Sequence, residues 1–145
     1  MTKGRLAGID FGTVRIGVAL TDACGIIAQP FCTLAAKKNH ELTAKELLLA
    51  LNAHDPLSAL IIGLPLMMNG KESQMSLQVR AFVEVLKSLC NTPIILWDER
   101  LTSRQIERLL IDADVKRKKR SKIIDALAAT CILQNYLEAQ DFLRN

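Results

Sequence analysis

The hydrophobic pattern changes period about a quarter of the way along the chain. From Leu6 to Leu20 it alternates: Leu6, Gly8 and Asp10 against Ala7, Ile9 and Phe11, then Ile16, Val18 and Leu20 on one face after a Gly12-Thr13 turn. Alternation of this kind predicts extended strands. A third strand is expected in Ile26 to Gln29 or after Pro30. Three strands on short connections predict an antiparallel meander. Asn39 to Leu51 then reads as a helix with Leu42, Leu48 and Leu49 on its apolar side, stopped before Pro56. Ala59 to Ile62 is a continuous apolar run, the mark of a strand covered on both faces.

Asn69 as N-cap with Glu72 three residues on predicts the next helix, whose stripe is Val79, Phe82, Val83, Leu86 and Leu89. Pro93 to Trp97 reads as a further buried strand. Thr102 and Gln105 form a second capping pattern before Ile106, Leu109 and Leu110, and Ser121 to Leu137 is the last helix. Helices alternating with buried strands after a meander predict one α/β domain over residues 1–145, a mixed sheet flanked by helices. Met67-Met68 reads as packing, and Gly63-Leu64-Pro65 either as a strand terminator or as the border of a binding groove.

Charge sharpens this picture. Nineteen Lys and Arg stand against 15 Asp and Glu, and six of the nineteen (Lys116, Arg117, Lys118, Lys119, Arg120, Lys122) lie within seven residues. The other thirteen leave the remaining chain at −2. The basicity is local, which suggests a place where a polyanion backbone is held, although charge runs also form solvated faces. The longest uncharged run, Pro56 to Gly70, has 15 residues and two prolines. It is shorter than the ~18 apolar residues of a membrane span. With no signal-peptide core in Met1 to Leu6, a soluble cytoplasmic protein is expected. The cysteines at 24, 32, 90 and 131 lack zinc-ligand spacing and read as reduced thiols partly in the core. Six aromatic residues are thin material for a base-stacking platform.

Acids at the ends of apolar strands need a reason, because burying an unpaired carboxylate is costly. Asp10 ends the first strand, Asp98 and Glu99 follow Ile94-Ile95-Leu96-Trp97, and Asp125 interrupts an apolar helix face next to Ala126, Ala128 and Ala129. Those small residues would let the helix lie close to the sheet. Each acid has a plain alternative: a turn residue at Asp10, a solvated strand end at Asp98-Glu99-Arg100, a dipole-complementing residue at Asp125 four positions past a Ser121 cap. If Asp10, Asp98 or Glu99, and Asp125 converge at the carboxyl ends of the strands, they call for protonation or a divalent cation, and oxygen-only ligands suit Mg²⁺ or Mn²⁺. Two such ions about 4 Å apart would activate a water against a phosphodiester.

Gly8-Ile9-Asp10-Phe11-Gly12-Thr13-Val14-Arg15-Ile16-Gly17-Val18-Ala19, then Gly63-Leu64-Pro65-Leu66 with Asn69-Gly70, then Asp98-Glu99-Arg100-Leu101-Thr102-Ser103, then Asp125-Ala126-Leu127-Ala128-Ala129 resemble the YqgF/RuvX family, in order and over nearly the whole chain. The resemblance implies an RNase H-like fold with a five-stranded mixed sheet. It also implies a nuclease acting on nucleic acid: one that processes the 5′ end of pre-16S ribosomal RNA or, alternatively, a Holliday junction resolvase. Carried over by position, Asp10 and Asp125 are metal ligands, the Asp98-Glu99 pair supplies the intermediate acid, and Arg15 and Arg100 are basic residues near the site. Strand alternation argues against both members of that pair as ligands, and Glu99 is preferred for its reach.

The chain departs from RuvC-type resolvases, which carry an acid after the fourth strand. Here that position is Gly63-Leu64-Pro65 and the acid follows the next strand. Two other functions remain in view. Asp10-Phe11-Gly12-Thr13 also resembles the phosphate loop of the actin/hexokinase superfamily, whose members hold nucleotide between two such domains. A non-catalytic RNA-binding assembly factor would need only the basic run. Monomer and homodimer are both open.

Overall fold

The computed structural model describes residues 4–101 and 117–144, with side chains over 4–100 and 125–141. β1 (Arg5–Phe11), β2 (Arg15–Thr21) and β3 (Ala28–Ala35) form the antiparallel meander. Then come α1 (His40–Leu51), β4 (Leu57–Leu64), α2 (Gln74–Leu89), β5 (Ile94–Asp98) and α3 (Arg117–Arg144). The sheet runs β3-β2-β1-β4-β5, with β4 parallel to both β1 and β5. The expected third strand thus begins at Ala28 and passes through Pro30, which is tolerated because β3 is an edge and the register shifts there.

Alternation along each strand sorts side chains to two layers. Ile9, Phe11, Ile16, Val18, Leu60 and Ile62 pack against Leu47 and Leu51 of α1 and Phe82 and Leu86 of α2. Leu6, Ala19, Ala59 and Ile61 face Ala129, Ile132, Leu133 and Leu137 of α3. The sheet is therefore covered on both sides.

Several local expectations change. The buried side of α1 is Thr43, Ala44, Leu47 and Leu51, while Leu42 and Leu49 are exposed. Three consecutive leucines span more than half of a helix's circumference, so burial is decided by which of them meets the sheet. Asn69 does not cap α2. Its side chain accepts from Lys71 N in a turn closed by Gly70 at φ +85°, and Ser73 is the N-cap, paired reciprocally with Ser76. Met67 and Met68 are exposed on this turn, not packed. β5 is half-buried throughout because it is the last strand of the sheet.

α3 is helical from Arg117, so most of the basic run belongs to it and Ser121 is interior, not a cap. Asp125 then lies beyond the first turn, where helix-dipole compensation fades. The expected helix around Ile106 to Leu110 and residue Lys116 lie outside the described residues. All four cysteines are free. Among the described residues no helix is long and apolar enough to cross a membrane.

Candidate functional site

The β1–β2 hairpin pairs Asp10 with Gly17, and β1 beside β4 pairs Ile9 with Ile62, which sets Asp10 next to Gly63. Gly17 in turn pairs with Thr33 and Gly63 with Trp97. One row across the α3 face of the sheet therefore reads Thr33, Gly17, Asp10, Gly63, Trp97. The acid stands at its centre between two residues without side chains.

Both flanking spaces are filled from elsewhere. A Cβ on Gly17 would run into the backbone carbonyl of Asp125. A Cβ on Gly63 would run into the carboxylate and Cγ of Glu99. Gly8, one row back, lies equally close under Ala129 and Leu133, at 2.7 Å from its virtual Cβ. The glycines let α3 descend onto β1 and β2 and let Glu99 lie across β4. Glu99 comes from a single 3₁₀ turn (Glu99–Leu101) that follows β5 and folds back over the sheet.

Asp10 and Glu99 meet through a side-chain hydrogen bond, which two carboxyls form only by sharing a proton. Burial raises Asp10 above the usual carboxylate range, its bond to Glu99 moderates the rise, and the Asp125 charge adds to it. Glu99 is pushed up to about 9, by burial first and then by the charges of Asp10 and Asp98. The pair therefore holds on to one proton between its two carboxyls. Asp125 presents Oδ2 to Arg15 Nε at 2.7 Å.

Asp98 stands apart from the pair. Its Oδ1 accepts from Arg100 N at 3.0 Å, its Oδ2 from Nη2 at 2.6 Å, and the guanidinium holds its carboxyl below the usual range. Arg100 also reaches Met68 O with Nη1 at 3.3 Å, which ties the turn bearing Glu99 to the loop between β4 and α2. Arg15 and Arg100 are thus both engaged with acids, at two-fifths and one-third exposure. Arg117, Lys118, Lys119, Arg120 and Lys122 lie on the first turns of α3, upstream of Asp125 on the same helix, and their side chains lie outside the described residues.

Among the described residues, no three acidic, His or Cys side chains close on one point at ligand distances. Asp10 and Glu99 meet, while Asp125 turns to Arg15 and acts on Asp10 through its charge. Gly17 escaped the sequence reading. A hairpin centred between Thr13 and Val14 pairs it with Asp10, so the turn position alone would have found it.

A family model described as "RuvX: Holliday junction resolvase" matches residues 4–139. The chain belongs to the RuvX family. Its relatives include proteins named "Putative pre-16S rRNA nuclease": one from Protochlamydia amoebophila, 43% identical over 141 residues and covering 94% of each chain, and one from Clostridium acetobutylicum, 44% identical over 135 residues, covering 93% of this chain and 98% of the relative. Solved structures with the same fold include a T. thermophilus RuvC bound to a Holliday junction substrate, at TM-score 0.57 and 14% identity over 94% of this chain and 95% of that one. Fowlpox virus resolvase with Holliday junction DNA also gives 0.57, at 15% identity over 94% and 98%. The RNase H-like fold of a RuvX protein is thus the five-stranded mixed sheet described above.

Proposed function

We propose that this RuvX protein hydrolyses phosphodiester bonds in structured nucleic acid at Asp10 and Glu99, with the 5′ end of precursor 16S ribosomal RNA as its substrate. The observation that carries the reading is the buried, proton-sharing carboxyl pair at the carboxyl ends of β1 and β5. Two carboxyls so placed do not both ionise without a cation between them. An all-oxygen donor pair with no Cys or His suits Mg²⁺ or Mn²⁺, so the residues fit such an ion in place of the shared proton. Asp10 and Glu99 would hold it, and Asp125 would contribute through the oxygen that Arg15 does not bond. When bound, a divalent ion supplies Lewis-acid activation and charge neutralisation at the phosphorus.

The remaining steps belong to the chain's own side chains. Arg15 fixes the orientation of Asp125. Gly63 leaves room for the Glu99 carboxyl beside Asp10, and Gly17 leaves room for the α3 backbone at Asp125. Arg100, through Asp98 and Met68 O, sets the turn that aims Glu99. Lys116, Arg117, Lys118, Lys119, Arg120 and Lys122 hold phosphates upstream of Asp125 and supply affinity that falls with salt. Hydrolysis joins a water oxygen to phosphorus and breaks the bond to the leaving oxygen, which takes up a proton.

The deciding experiment cleaves a precursor 16S RNA fragment and a four-way DNA junction side by side with wild type and Asp10→Asn. Cleavage of the RNA is expected, falling on the order of a thousandfold in the variant, the scale of losing one preorganised electrostatic group. Undiminished cleavage by Asp10→Asn overturns the site. The family description favours a junction as the second substrate; preference for it replaces the RNA. Binding without cleavage across Mg²⁺ and Mn²⁺ leaves an assembly factor.

A further inference from the structure

β1 sends Asp10 to the α3 face and the next residue, Phe11, to the other. On that second face, Phe11, Thr13, Lys37, Lys38, His40 and Gln78 line a cavity of about 360 Å³. Thr13 and Gln78 also line an adjoining hollow of about 460 Å³ together with Gln74, Met75 and Leu77. The two run together past the β1–β2 turn as one groove.

Its chemistry is one-sided. Among the described residues, no carboxylate lines either part. Lys37 and Lys38 are exposed, and among the described residues neither forms an ion pair, unlike Lys45, which is held by Glu41 at 3.0 Å. Of the other polar groups, Asn39 and Thr43 are taken up in capping α1, while the Thr13 hydroxyl and the Gln74 and Gln78 amides are hydrogen-bond donors of the kind that meet phosphate and sugar oxygens. Phe11 offers no face to a base: it is buried, stacked on Phe82 with centroids 4.6 Å apart and met by His40 at 5.7 Å. The lysines and the amides meet a ligand at its charge and sugar edges. Thr13 lies three residues past Asp10 in the β1–β2 turn, at most about 10 Å along the chain, so the groove opens at the same end of β1 as the carboxyl pair.

We propose that this groove binds the sugar–phosphate backbone of the nucleic-acid substrate on the flank of the cleaved bond, with Lys37 and Lys38 each neutralising a phosphate. The proposal rests on the nucleic-acid reading above and adds a second contact track, separate from the basic stretch at 116–122.

The test measures binding apart from cleavage. A fluorescein-labelled RNA stem with a single-stranded 5′ extension is titrated in EDTA over a range of salt, using wild type, Lys37→Ala/Lys38→Ala and Lys87→Ala. Lys87 lies at the far end of α2 and serves as the charge control. Removing two phosphate contacts lowers the slope of log affinity against log salt by about 1.4 to 1.8. Between 50 and 200 mM salt the wild type then loses about tenfold more affinity than the double variant. The control keeps the wild-type slope. In cleavage assays the double variant raises KM and leaves kcat unchanged.

An unaltered slope and affinity in the double variant overturns the groove and leaves the nuclease reading standing. A wild type that binds with the lysine-dependent slope yet never cleaves keeps the groove and sinks the nuclease. A wild type that does not bind the RNA sinks both.

Discussion

The two faces of one sheet are built on opposite principles. Towards α1 and α2 the strands present Ile9, Phe11, Ile16, Val18, Leu60 and Ile62, all almost wholly buried. Towards α3 the same strands present Gly8, Asp10, Gly17, Ala19, Ala59 and Gly63. The first face gains stability from side-chain volume. The second gives volume up, so that the α3 backbone can settle over Gly17 and the Glu99 carboxyl can reach Asp10. Burying that acid cluster costs free energy, and the packed face offsets it.

The largest effect on stability should therefore come from the face that holds no catalytic acid. Phe82 is completely buried, stacked on Phe11 and edge-on to His40. Phe82→Ala is expected to lower unfolding free energy by about 3–5 kcal/mol in denaturant titration. Assayed below its new melting temperature, the variant should cleave with kcat little changed. A kcat loss as large as that of Asp10→Asn would mean that the two faces are not separable.

The next effect belongs to the acid pair and appears as a pH dependence. In the unfolded chain Glu99 ionises near its ordinary value of 4.5, while in the fold it keeps its proton up to about 9. Between those values the folded state binds more protons, so stability falls as pH rises, by at most about 1.4 kcal/mol per pH unit. Urea titrations in EDTA from pH 5 to 9 should show that decline, and Glu99→Gln should flatten it. Mg²⁺ at pH 8 should restore stability to wild type and much less to the variant. A wild-type profile no steeper than that of Glu99→Gln would show that the pair shares no proton.

The two glycines beside Asp10 sharpen the contrast further, because their obstacles differ. At Gly17 the obstacle is the backbone of α3, which cannot move alone. Gly17→Ala is expected to cost about 1–3 kcal/mol and to shift Asp125 with the helix. At Gly63 the obstacles are side chains, the Glu99 carboxylate and Cγ and the Cδ1 of buried Ile132. Gly63→Ala should expel the Glu99 carboxylate and crowd Ile132, losing cleavage at a smaller cost in thermal stability than Gly17→Ala. If both variants lose activity only in proportion to stability, the row of small residues serves packing alone.

Much of this architecture is legible in the sequence, for identifiable reasons. Alternation from Leu6 to Leu20, the apolar run at Ala59 to Ile62 and the stripe from Val79 to Leu86 each carry their period openly, and the meander of the first three strands follows from their short connections. The acids stand out as charged residues at the ends of apolar strands. What stays hidden depends on pairing between distant segments. The exposure of Leu42 and Leu49 follows from which leucine meets the sheet. The separation of Glu99 from Asp98 follows from the 3₁₀ turn, which swings one acid over Gly63 and leaves the other on Arg100. The N-cap moved from Asn69 to Ser73 because Gly70, at positive φ, ends a turn before the helix begins.

The smallest effect on stability should come from Arg15, where the two kinds of surface meet. Its bond to Asp125 is short, but its side chain is 39% exposed and that of Asp125 20%, so solvent screens the attraction. Arg15→Gln is expected to cost no more than about 1 kcal/mol, and less as salt rises. Its effect on cleavage should be larger, about tenfold in kcat with KM little changed, because Asp125 loses the partner that fixes its carboxylate. That loss should persist in high salt, since it reflects orientation more than attraction. Arg15→Lys should rescue it only in part: an ammonium restores the charge but not the guanidinium plane that holds Asp125 from one side. Full rescue by lysine would reduce Arg15 to a counter-ion and leave Asp125 to be oriented by the α3 backbone where it rests on Gly17.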